Sequence, residues 1–151
     1  MSDMRVRAVR QSDWPHLERL IVAMFAELGT TDIPASWAAD LRECLSRRLG
    51  NDVAAFVAVD DDDTPVAAAV GVIDHRLPSP RRPSGDIGYV EWLVTDPGYR
   101  RRGAARAALT ELLTWLDARV AVVDVHGSKA ARPLYEELRF NPPAAVPLRR
   151  R

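Results

Sequence analysis

The apolar positions change period several times along the chain, and each change marks an element. Met4 to Val9, MRVRAV, alternates apolar and polar residues as a half-buried strand does. Ser12-Asp13 then supplies a helix N-cap ahead of WPHLERLIVAMFAEL. Pro34-Ala35-Ser36 opens a second helical stretch in which Trp37, Leu41, Leu45 and Leu49 share one face, and Gly50-Asn51 ends it. Asp52 to Asp60 and Pro65 to His75 are β-type runs joined by the acidic turn DDDT, which predicts a hairpin with its charges in water. Leu77 to Gly85, with three prolines and no apolar periodicity, is a loop.

Ile87 to Val94, IGYVEWLV, predicts a strand, Arg102 to Ala118 an amphipathic helix, and Val120 to Val125 a further strand. That order implies parallel pairing across a right-handed crossover. Ala130 to Leu138 is a final helix, and Phe140 onward, FNPPAAVPLRRR, an irregular strand that its prolines confine to a sheet edge. The pattern as a whole predicts one domain over residues 1–151, of mixed α/β (α+β) class. About six strands would form its sheet and about four helices would flank it, with residues 146–151 a flexible tail.

Composition narrows the function classes. Apolar residues make up 47% and charged residues 28% of the 151 positions, as in globular chains, and no apolar run reaches the ~18 residues that a membrane helix needs. The polar N-terminus MSDMRVRAVRQSDW lacks the apolar core of a secretory signal, and Cys44 is the single cysteine, so the expected setting is cytoplasmic and reducing. The 21 basic and 21 acidic residues cancel, which argues against nucleic acid or an acidic membrane as partner.

The joint between the fourth strand and the long helix, VTDPGYRRRGAA, carries the candidate chemistry. A helix N-terminus exposes unpaired backbone N–H groups with partial positive charge, and small residues let an anion approach them. Gly103, Ala104 and Ala105 supply that access, and Arg100, Arg101 and Arg102 at a helix start are unfavourable unless an anion sits there. A polyphosphorylated ligand is expected. Neither the P-loop pattern nor the dinucleotide G-x-G-x-x-G is present.

These residues match the acyl-CoA signature [QR]-x-x-G-x-[GA], here Arg100-x-x-Gly103-x-Ala105, preceded by Val94-Thr95-Asp96-Pro97-Gly98-Tyr99. A second block resembles N-x-x-A-x-x-x-Y-x-x-x-G-F, with Ser128, Ala131, Tyr135 and Phe140 at the matching positions. On both blocks the chain resembles the GNAT (GCN5-related) N-acetyltransferases. The resemblance implies a GNAT fold with acetyl-CoA as co-substrate and no metal. The pyrophosphate would lie on the backbone N–H groups of Arg101 to Ala105, the pantetheine arm along Leu93 and Val94, and Ser128 and Ala131 would join the cofactor site. It further implies Tyr135 as the proton donor to the CoA sulfur and Glu91 as the base that takes the amine proton, through water in many such proteins.

Glu91 is the one carboxylate inside IGYVEWLV, where apolar neighbours would raise its pKa if they shielded it. Alternation puts it with Tyr89 and Leu93, opposite Val90, Trp92 and Val94. His126 at the next strand end is the other titratable candidate for base, and Asp124 reads as a polar-edge residue. Two positions depart from the family pattern. Arg139 stands where a helix-ending glycine is usual, which demands either strain or a different turn, and Ser128 replaces asparagine. The acceptor expected is a small-molecule primary amine, which Asp32, Asp40 and Asp86 would attract if it is cationic, and a homodimer fits the resemblance. The competing reading is an acyl-CoA sensor or partner-binding module without catalysis.

Overall fold

In the computed structural model, which describes residues 4–151, five strands form one sheet in the order β1-β2-β3-β4-β5. They are β1 (Arg5–Ala8), β2 (Val53–Val59), β3 (Pro65–His75), β4 (Asp86–Thr95) and β5 (Val123–Val125), and the helices are α1 (Trp14–Glu27), α2 (Trp37–Arg48), α3 (Ala104–Asp117) and α4 (Arg132–Glu137). The pairings β1–β2, β2–β3 and β3–β4 are antiparallel and β4–β5 is parallel, as the crossover through α3 requires. Met1 to Asp3 of the polar N-terminal stretch lie outside the described residues.

Helices cover both faces, which is why β2 and β3 are apolar runs rather than alternating ones. On one face Leu17, Leu20 and Ile21 of α1 and Leu45 of α2 pack on Val57, Val70 and Val94, with the expected α2 stripe of Trp37, Leu41 and Leu49 beside them. On the other, Leu109, Leu112 and Leu116 of α3 are fully buried with Ala69, Ile73, Val90 and Tyr135. No helix among the described residues is long and apolar enough to cross a membrane.

Several boundaries differ from the sequence reading. The strand expected from Phe140 does not form: residues 141–151 carry no helix or strand and are exposed. Pro142, Pro143 and Pro147 remove the donors that pairing with β5 would need. β5 is only three residues long, because Val120 turns inward against α3 instead of extending the strand. α4 begins at Arg132, after Ser128 Oγ and the Ser128 carbonyl have taken the Ala131 N–H at 3.2 and 3.1 Å. Arg139 adopts the glycine conformation, φ 71°. Its N–H donates to the Glu136 carbonyl and the Phe140 N–H to the Tyr135 carbonyl, both at 3.0 Å, so the usual helix-ending turn is kept at a strain of about 1 kcal/mol.

The expected cap of α1 is also replaced. Residues Gln11–Asp13 form a single 3-10 turn, and Asp13, 3% exposed, turns inward. It takes Arg7 Nη1 at 2.6 Å and Nη2 at 2.9 Å, with the Arg10 N–H at 2.7 Å. Asp63 of the acidic turn, expected to be merely solvated, takes Arg7 Nε at 3.0 Å as well as Arg5 and Arg10. Two carboxylates thus clamp one guanidinium between β1, the start of α1 and the β2–β3 hairpin. Burial alone would raise the Asp13 carboxyl, but the Arg7 and Arg10 hydrogen bonds outweigh it and hold the group below the ordinary aspartate range.

Two outcomes test these contacts. Asp13→Asn leaves the half-buried Arg7 without its main counter-charge and should cost about 3 kcal/mol in urea unfolding at pH 7. Because the native carboxyl is depressed, its stabilisation is present above the unfolded value near 3.9 and is lost as pH falls through the native value. The gap between native protein and variant should therefore narrow toward pH 3. Arg139→Gly should relieve the positive φ and stabilise the fold by up to about 1 kcal/mol in the same assay.

Candidate functional site

At the end of β4, Asp96 caps a 3-10 turn over Pro97–Tyr99 by accepting the Gly98 N–H at 2.9 Å. The chain then passes through Arg101 and Gly103, both left-handed at φ 62° and 79°, and enters the 14-residue helix α3. The backbone N–H groups of Arg101 to Ala105 have no protein acceptor among the described residues. Left-handed residues in such a turn bring successive N–H groups together into an anion-binding concavity, and the α3 dipole adds to its field. A Cβ at Gly103 would meet nothing within 4 Å, so glycine is required by the backbone angle, and the space above it is open. The donor set therefore fits a diphosphate.

The arginines of this turn do different work. Arg100 pairs with Glu27 at the end of α1, and Arg19 of α1 with Asp96 at 3.3 Å, so α1 straps the turn from one side. The Arg102 guanidinium lies 5.1 Å from the centre of the Tyr99 ring, and Arg101 has no acid partner among the described residues. The sequence reading gave Gly103, Ala104 and Ala105 one role, access for an anion. Ala104 differs: at 2% exposure it is packed with Ala58 and Ala67 beneath Met4, Val6 and Tyr99, so its small size serves close approach of α3 to the sheet.

β4 and β5 run together for three pairs, Gly88–Val123, Tyr89–Asp124 and Val90–Val125, and then part. Beyond that point Trp92 to Thr95, including Leu93 and Val94, are paired only with β3 and keep one backbone edge free. The β3 register jumps from Val70–Trp92 to Gly71–Val90, leaving Glu91 as an extra, unpaired residue in a β-bulge. The bulge resets the alternation: Leu93 packs with Val90 in the α3 core, whereas Trp92 and Val94 pack toward α1 and α2. The expected grouping of Leu93 with Glu91 and of Val90 with Trp92 is thus overturned. Glu91 is exposed, without the apolar shielding anticipated for it, and opens into a cleft of about 310 Å³ shared with Tyr89, Arg48 and Arg76.

Across the parting, Tyr135 of α4 is buried at 6% exposure, its ring edge-on to Phe140 with centroids 5.4 Å apart. A Cβ at Gly127 would fall 2.8 Å from the Tyr135 ring, so that glycine lets the chain after β5 cross the ring face. Burial, helped by the neighbouring Tyr89 phenol, pushes the Tyr135 pKa up to about 12, so the phenol is neutral well past neutral pH. Tyr89 is itself raised, first by burial and then by the Glu91 charge, and its ring stands edge-on to His126 at 5.5 Å. Ser128 and Ala131 shape the start of α4 by their mutual hydrogen bond, which orients Tyr135 one turn later. Tyr135, Gly127 and Phe140 line a groove of about 860 Å³, and neither Ser128 nor Ala131 is among its lining residues.

Sequence reasoning grouped Tyr89 with Glu91 without giving it a role, and missed Arg48 and Arg76. Neither arginine had a local signal: Arg48 comes from the end of α2 and Arg76 from just past β3, and only the fold brings them to one cleft. Asp86, expected to attract a cationic amine, instead accepts His75 Nδ1 at 2.9 Å.

Comparison with known proteins bears on the fold. A predicted acetyltransferase with acetyl-CoA from Clostridium acetobutylicum superposes with a TM-score of 0.82 at 20% identity, covering 97% of this chain and 96% of that one. An aminoglycoside antibiotic 6'-N-acetyltransferase from Acinetobacter baumannii matches with a TM-score of 0.75 at 13% identity over 99% and 98% of the two chains. For glucosamine-6-phosphate N-acetyltransferase from Arabidopsis thaliana the TM-score is 0.72 at 17% identity over 99% of each. These likenesses concern the fold. No curated protein sequence matches the chain. The model of the Acetyltransferase (GNAT) family matches residues 12–140, and the chain belongs to that family.

Proposed function

We propose that this protein is an acetyl-CoA-dependent N-acetyltransferase that acylates a primary amine of a small molecule by direct attack on the thioester. The observation that carries this reading is the parting of β4 from β5 directly upstream of five unpaired N–H groups, Arg101 to Ala105. The free edge at Leu93 and Val94 supplies backbone groups for a pantetheine arm, and Arg100 to Arg102 supply charge near its phosphates. Bound there, acetyl-CoA supplies an acetyl group activated as a thioester.

The chain's own residues account for the proton movements. Glu91, on the bulge and facing the cleft, accepts a proton from the acceptor ammonium, directly or through one water, and leaves the nitrogen lone pair free. A backbone N–H of the free β4 edge, near Leu93, donates to the carbonyl oxygen as negative charge develops on it. Tyr135 Oη donates its proton to the departing sulfur as negative charge builds there, the phenol being protonated at neutral pH and regaining a proton from solvent after release of the thiol. His126 is exposed and next to Tyr89, an auxiliary acid–base group at most in this scheme. The protein is proposed to work as a single domain in a reducing, cytoplasmic setting, where the lone Cys44 would remain a thiol.

Calorimetric titration with acetyl-CoA should give saturable one-to-one binding. Acetyl-pantetheine, which lacks the phosphates, should bind at least about tenfold more weakly. Absence of saturable binding to folded protein would overturn the reading. Tyr135→Phe keeps the ring against Gly127 and Phe140 but removes the proton. It should lower kcat about 100-fold in a thiol-release assay while leaving the acetyl-CoA Kd unchanged. Unchanged turnover would remove Tyr135 from the mechanism, and binding without turnover of any amine would favour the sensor reading.

A further inference from the structure

The cleft at the Glu91 bulge carries charges of both signs, arranged so that some are spent and others are not. Arg48 at the end of α2 donates through Nε to Asp52 at 2.8 Å, and His75 Nε2 holds the other oxygen of Asp52 at 3.5 Å. Arg76, just past β3, donates through Nε to Asp74 at 2.9 Å. Each guanidinium is thus fixed by its inner nitrogen. The outer nitrogens, Nη2 of Arg48 and both Nη of Arg76, meet no acceptor oxygen among the described residues. Glu91 makes no ion pair or side-chain hydrogen bond there either, while Asp74 is already engaged.

Two guanidinium ends anchored through Nε and one uncommitted carboxylate therefore face the same space of about 310 Å³, at the small end of ligand pockets. Guanidinium forks of this kind recognise carboxylate and phosphate oxygens by paired N–H donation. A polycation entering the cleft would find only one uncommitted carboxylate, since Asp52 and Asp74 are already held by the two arginines. A molecule with an ammonium and an anionic group a few bonds apart matches both halves.

Resting on the acyltransferase reading, we infer that the acceptor is a small amine that also bears an anionic group, a carboxylate or phosphate, with its ammonium at Glu91 and its anion on Arg48 and Arg76. Polyamines and aminoglycosides are poor acceptors on this account. Asp32, on the exposed segment before α2, and Asp40, exposed in the first turn of α2, do not line the cleft.

The test pairs acceptors that differ only in the anion: amino acids against their amides, amino-sugar phosphates against the free amino sugars, with spermidine and an aminoglycoside alongside. Each is measured twice, by thiol release with acetyl-CoA and by ligand-observed NMR binding to protein saturated with CoA. The anionic member should have the higher kcat/KM by about tenfold or more, and Arg76→Gln should raise its KM about tenfold while lowering or leaving level that of its partner without the anion. Because Arg76 is exposed, the substitution should not disturb folding, and thermal unfolding of the variant checks this. The amino acid and sugar phosphate arms tell carboxylate from phosphate. Preference for the neutral or polycationic members, insensitivity to Arg76→Gln, or failure of every anionic amine to bind would each overturn the inference while acetyl-CoA binding still stands. Arg76-dependent binding of anionic amines without thiol release would keep the ligand class and refute N-acyl transfer instead.

Discussion

A backbone polar group taken out of a hydrogen-bond ladder has to find another partner, and this fold withholds such partners at two adjoining places. The β4–β5 ladder stops after Val90–Val125, and the N–H groups of Arg101 to Ala105 have no protein acceptor among the described residues. Neither place is a loose end, because each is held from behind. β4 is paired along its other edge to β3, and α3 is fixed by the complete burial of Leu109, Leu112 and Leu116. The rigid scaffold keeps the donors pointing at space that a ligand can fill.

The bulge at Glu91 follows from the same strand. One extra residue in β4 breaks the alternation, places Val90 and Leu93 in the α3 core, and turns Glu91 out beside Tyr89. A regular strand would have carried Glu91 in register with its neighbours, with a partner opposite it on β3. Across the parting, the environment reverses: Tyr135 is buried between Phe140 and Gly127, and burial keeps its proton in place. The exposed carboxylate and the shielded phenol thus line two separate cavities. The charged straps lie outside both. Arg7 between Asp13 and Asp63 fixes the entry to α1, and α1 in turn braces the turn before α3 through Arg19–Asp96 and Glu27–Arg100.

The elements were legible in the sequence wherever local physics dominates. The helical stripe of Trp37, Leu41, Leu45 and Leu49, the paired β runs around the acidic turn, and the strand–turn–helix at Val94 to Ala105 are periodicity and turn chemistry, and they formed where expected. The family blocks fixed Gly103 and Tyr135 for the same reason, since each answers a local demand: a left-handed turn in one case, a ring over Gly127 in the other. Boundaries failed where distant packing intervened. Val120 left its strand for the α3 core, Asp13 left its cap for Arg7, and the proline-rich end formed no strand.

By itself, then, the sequence determined the succession of strands and helices and the backbone of the turn at Arg100 to Ala105, because these depend on residues within one or two turns of each other. Only the tertiary structure decided that Glu91 is an unpaired bulge residue, because a bulge is defined by the register of β3 against β4. It alone brought Arg48 from α2 and Arg76 from beyond β3 to that carboxylate, since their meeting depends on how a helix packs beside a strand and leaves no trace in local spacing.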